Sequence, residues 1–76
     1  MTKMDVKRLE ALLKYWIAHN EEHAGEFQEW ADKAKASGNI AIHDSMSIAV
    51  RKIYEANEYL LKALKELNQD SENLLT

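Results

Sequence analysis

The chain has 76 residues, 10 basic against 13 acidic side chains for a net charge of −3, and neither cysteine nor proline. A chain this short forms one domain and buries a smaller fraction of its surface than a longer one. Without cysteine there is no disulfide framework and no thiolate metal site, and the dispersed, mildly acidic charge offers no basic stripe for a phosphate backbone, which disfavours nucleic-acid binding.

The first segment, "MTKMDVKRLEALLKYWIAHNEE", holds no apolar run of signal-peptide length. No segment approaches the roughly 20 apolar residues that span a bilayer. The expectation is a soluble cytoplasmic protein with no membrane insertion.

Thr2 followed three residues later by Asp5 has the spacing of a capping box and predicts a helix start there. Alanine, leucine, glutamate and lysine then dominate, so the first helix is predicted over about residues 3–36. Gly25 falls in its middle, where it costs about 1 kcal/mol relative to alanine. The expected compensation is a close helix approach at that point.

"KASGNIA" is the one clear break. Ser37-Gly38 reads as a helix C-terminus with glycine in the left-handed position, and Asn39 as the cap of the next helix. The second helix is predicted over about residues 40–68, with the polar tail "NQDSENLLT", residues 69–76 beyond Asn68, frayed. The fold class is therefore all-α: a single-domain, long antiparallel helical hairpin of about 50 Å at 1.5 Å per residue.

At 100° per residue, Leu9, Leu12, Trp16, His19, Asn20, Phe27, Trp30 and Ala34 lie within about 60° of His23. Met46, Val50, Ile53, Tyr54, Leu60, Leu61 and Leu64 lie within about 60° of Asn57. A tight turn pairs residues whose numbers sum to roughly 76–80. His19, Asn20 and His23 are thus expected opposite Tyr54, Asn57 and Glu58, as one polar layer of Asn20, Asn57 and Tyr54 with the histidines, between apolar layers. Leu13, Ile17, Ala24, Ala31, Ala49, Ala56 and Ala63 widen the apolar surface. Covering it predicts a homodimer in a four-helix bundle.

His19-x-x-x-His23 projects two imidazoles from one helix face, a spacing at which both can hold one zinc, nickel or cobalt ion. Glu22 and Glu26 on the flank are candidate secondary ligands, and Tyr15 lies one turn before His19. The expected role is storage, sensing or delivery of a divalent transition metal. The competing reading is an assembly module in which His23 and Asn57 hydrogen-bond and set register. A third reading is haem or another planar cofactor among Trp16, Phe27, Trp30 and Tyr54. His43, roughly 20 Å along the bundle, reads as solvated or capping.

Catalytic residues are not predicted. "HNEEH" has Asn20 where the H-E-x-x-H zinc proteases need glutamate, and no Glu-x-x-His pair of the di-iron bundles is present. No nucleophile elbow or phosphate loop exists either.

Three patterns recur together: W-I-x-H-N-x-E-H at Trp16, Ile17, His19, Asn20, Glu22 and His23; F-x-x-W-A at Phe27, Trp30 and Ala31; and A-N-x-x-L at Ala56, Asn57 and Leu60. Over about residues 13–67 the chain resembles a small uncharacterised prokaryotic all-helical domain. That resemblance implies a helical fold and an association with nickel or cobalt handling, and it assigns no ligand. Gly25 departs from the alanine or glutamate that the resemblance implies there.

Overall fold

Helix α1 (Lys3–Ala36) begins at the anticipated cap. In the computed structural model, which describes the backbone of residues 1–75 and the side chains of residues 1–69, the Asp5 amide donates to Thr2 Oγ1 at 3.1 Å. The Thr2 amide reaches back to Asp5 Oδ2 at 3.5 Å, which completes the reciprocal box. Two of the amides that a helix N-terminus leaves without backbone partners are satisfied in this way.

The turn also follows from its residues. Gly38 has φ +85°, in the left-handed region where a Cβ is strained. Its amide donates to the Lys35 carbonyl at 3.0 Å and the Asn39 amide to the Ala34 carbonyl at 2.9 Å. This crossed pair is a Schellman motif, and it sends the chain directly back. The Asn39 carbonyl accepts the His43 amide at 3.1 Å as α2 (Ile40–Leu75) begins. Helix α2 therefore runs past Asn68, where the sequence reading ends it. The frayed tail anticipated over residues 69–76 falls, apart from Gln69, outside the described side chains.

The two helices form an antiparallel hairpin measuring 58 × 15 × 13 Å, and no strand occurs among the described residues. On α2 the half-buried and buried residues His43, Met46, Val50, Ile53, Asn57, Leu60, Leu64 and Leu67 advance in alternating steps of three and four. On α1, Val6, Leu13, Ile17, Asn20, Ala24, Ala31 and Ala34 keep the same period. That repeat of 3.5 residues is the one that keeps two helices in register along a seam.

The seam is not centred on His23. Leu13, Ala24 and Ala31 are the buried residues of α1, whereas Leu12, Trp16, Phe27 and Trp30 are exposed. The inward face lies roughly a quarter turn from His23 on the helical wheel, on the sector first read as a flank. Ala24 and Ala31 have no exposure at all, because small side chains let α2 approach closely. Large rings at Trp16, Phe27 or Trp30 would hold it away.

The resulting core is thin. Leu13, Val50 and Leu67 are buried and each contributes about 1.5–3 kcal/mol, while no large side chain is fully buried among the described residues. The close approach anticipated at Gly25 is absent from the hairpin: a Cβ there would meet nothing within 4 Å.

Candidate metal centre

The polar residues divide between two environments. Inside the seam, Asn20 Nδ2 donates to Asn57 Oδ1 at 2.9 Å, and Asn57 Nδ2 donates to the Ile17 carbonyl at 3.1 Å. Asn57 is only 5 % exposed, so its amide needs both partners and has them. Among the described residues no buried side-chain nitrogen or oxygen lacks a hydrogen bond. Tyr54 stands apart from this pair and is exposed.

Outside the seam, His19 and His23 lie on the open face of α1, next to the exposed Leu12, Trp16, Phe27 and Trp30. Their Nε2 atoms face each other at 2.9 Å. Ligands at 2.0–2.1 Å from one tetrahedral ion stand roughly 3.3–3.4 Å from each other, so the two nitrogens need to part by only about 0.4–0.5 Å from their hydrogen-bonded spacing to share an ion.

A four-residue ladder holds them there. Tyr15 stacks on His19 with ring centroids 5.4 Å apart, His19 meets His23 edge-on at 4.4 Å, and His23 tilts against Phe27 at 5.9 Å. Each step is one i, i+4 contact along a single helix ridge. Lys33 lies over the Trp30 ring at 4.2 Å, so the end of the stripe carries its own cation–π contact.

Glu26 Oε2 stands 3.8 Å from His23 Nδ1, on the far side of the ring from His19. At that distance it neighbours the ring nitrogen without hydrogen-bonding to it. One of the two facing Nε2 atoms carries the hydrogen and the other accepts it, and an ion held between them would take the place of that hydrogen. Glu26 is placed as an outer partner of His23, not beside the Nε2 pair, and Glu22 makes no hydrogen bond or ion pair among the described residues.

No group of three or more histidine, aspartate, glutamate or cysteine side chains is gathered for a metal ion among the described residues. One chain thus offers two nitrogen ligands. Tetrahedral zinc needs four positions filled, by protein or by water.

His43 lies near the turn and is half-buried, with Nδ1 3.0 Å from Asp44 Oδ1 and Nε2 3.4 Å from Ser47 Oγ. Its burial escaped the sequence reading, although His43 falls in the same alternation of three and four as Met46 and Val50. The i, i+4 ladder through Tyr15 and Phe27 was legible in principle from its spacing alone.

Fold and site together define the chain as an antiparallel helical hairpin with a paired-histidine face outside its core. It belongs to the family described as a domain of unknown function (DUF8180), whose model matches residues 9–67. The match takes in both histidines, both seam asparagines and the turn. No curated protein and no solved structure matches the chain.

Proposed function

We propose that this protein binds a divalent transition metal, zinc, nickel or cobalt, through Nε2 of His19 and His23, as a non-enzymatic storage, sensing or delivery protein. The observation that carries this reading is the 2.9 Å separation of the two Nε2 atoms on an open face. Neutral imidazole nitrogens suit these ions, and Glu26, 3.8 Å from His23 Nδ1, is within a small side-chain shift of the position from which a carboxylate supports a ligand. The working form is a homodimer whose two hairpins make a four-helix bundle. The thin core of the single hairpin supports this, because a second hairpin supplies the burial it lacks. A cytoplasmic setting belongs to the same reading, supported by the lack of cysteine in so short a chain.

The test is metal content. Untagged protein dialysed against each ion should retain it in fixed stoichiometry by elemental analysis, and His19→Ala and His23→Ala should each abolish retention. Protein that retains none of the three ions refutes the reading.

The Asn20–Asn57 bond favours a second reading, an assembly module without metal. A buried amide pair selects register and partner in helical assemblies. On that reading His23→Leu keeps or raises thermal stability while loosening oligomeric specificity. A porphyrin bound between two imidazoles needs them on opposite faces of its ring, and His19 and His23 share one helix ridge one turn apart, so this reading has less support.

A further inference from the structure

We infer that a second copy of this chain docks antiparallel on the open face, with a two-fold axis at the level of Glu21 and Ala56, and that this docking brings the two histidine pairs together. The identity of what the four imidazoles hold rests on the metal reading. The docking stands on area, on side-chain order along α1, and on side-chain order along α2.

A compact monomer of this mass, 8.8 kDa, exposes about 4,800 Å². The hairpin exposes 5886 Å², an excess of roughly 1,100 Å². A standard stable interface takes about 800 Å² from each partner, so the excess matches one such interface. The radius of gyration, 17.2 Å against roughly 11 Å for a compact domain of this length, shows the same shortfall of packing.

Most of the exposed row on α1 reads alike in both directions from Glu21, with Trp16 and Glu26, five positions away, as the unlike pair. His19 and His23 stand two positions away, Tyr15 and Phe27 six, and Leu12 and Trp30 nine. In a two-fold contact residue i faces j while j faces i. An antiparallel copy centred at Glu21 therefore sets histidine on histidine and ring on ring, and pairs the broad Trp30 with the smaller Leu12. A parallel copy would set Trp30 on Trp30 and Leu12 on Leu12, and the helices would splay.

Helix α2 has its own symmetric row. The Asn20–Asn57 bond puts Ala56 level with Glu21. Carrying 100° per residue across the antiparallel pair places Ala49, Ala56 and Ala63 on the same side of the hairpin as the histidines. Ala49 and Ala63 are seven positions either side of Ala56, so the same axis sets alanine against alanine. Ala49 and Ala56 are exposed and Ala63 half-buried in the hairpin, which leaves a second hairpin free to approach.

Under this axis His19 faces the second copy's His23, and all four rings lie within two positions of the axis. Two nitrogen ligands from each copy make a complete tetrahedral set. The site is incomplete in one chain and closed in two.

Spin labels test the docking without reference to metal. The chain has no cysteine, so Glu55→Cys, one position from the axis and on the outer edge of α2 by the same 100° count, and Lys35→Cys each give one labelled site per copy, both at exposed positions. The expected result is a short distance between Glu55 labels. The Lys35 labels should be far apart, with roughly 42 Å of their separation along the helix axis at 1.5 Å per residue. Equal distances at both positions, or a monomer, overturn the inference. Ala56→Arg, exposed in the hairpin, should keep helix content by circular dichroism and yield a monomer by light scattering; a dimer that persists counts against the axis.

Native mass spectrometry with zinc, nickel or cobalt should then show one ion per two chains. One ion on each isolated chain would uphold the metal reading and overturn the shared site. If the label distances are as expected and no ion binds, the docking stands and the metal reading falls.

Discussion

Asn20 donates to Asn57 across the seam at 2.9 Å, while His19, its neighbour in sequence, points out of the hairpin toward His23. One turn of helix thus carries two separate polar devices. The amides hold the two helices together, and the imidazoles are presented on the outside.

Removing one amide leaves the other partly stranded. Asn57→Ala should destabilise the hairpin by about 1–3 kcal/mol, because the Asn20 amide then lacks its acceptor in a part-buried site. Urea unfolding of Asn20→Ala, Asn57→Ala and the double variant measures the coupling. Strictly additive losses would show that the bond contributes nothing.

The turn glycine should resist substitution. Gly38→Ala puts a Cβ at φ +85° and should cost about 1–2 kcal/mol by thermal or urea unfolding. A neutral effect would mean that the turn can be made by another backbone path.

Gly25 should behave in the opposite sense. Its Cβ would meet nothing within 4 Å, so Gly25→Ala should stabilise by about 0.4–1 kcal/mol through the unfolded chain. It lies on the far side of α1 from His23, so the same substitution should leave the oligomeric state unchanged. Loss of stability or of the dimer would place a close contact at Gly25 after all.

Overpacking the alanine seam should be costly. Ala24→Leu inserts a large side chain at a position with no exposure and should cost about 1–3 kcal/mol. Ala18→Leu, on the exposed side of α1, is the control and should be near neutral.

His23→Leu separates stability from binding. The ring is half exposed, its side chain 44 % accessible, so the metal-free protein should melt at the same temperature or higher. With zinc, nickel or cobalt added, the wild type should gain a melting shift and the variant none. Equal shifts in both proteins would move the ion away from His23.

Much of this architecture is written in single residues. Thr2 and Asp5 mark the start of α1, Gly38 requires the turn, and the lack of proline lets both helices run unbroken. Such features act within a few residues of themselves, so local chemistry suffices to read them. The level at which Asn57 meets α1 was also legible, because a tight turn leaves little freedom of register, but its expected partner was His23 and the bond is made by Asn20. The family match over residues 9–67 is consistent with the resemblance to a small uncharacterised domain.

Only the tertiary structure decided which side of α1 faces inward. Its apolar residues cover an arc too wide for one neighbouring helix, from Leu12 and Trp30 round to Leu13 and Ile17. A wheel at 3.6 residues per turn spreads that arc over about 140°, with His23 toward one side of it and Ala24 and Leu13 toward the other, and periodicity alone does not choose between the sides. The choice falls to close packing: Ala24 and Ala31 admit α2, and the broad rings of Trp16, Phe27 and Trp30 are left outside with the histidines. Periodicity determines that α1 has an apolar face, and the volume of the side chains determines which part of it becomes the core.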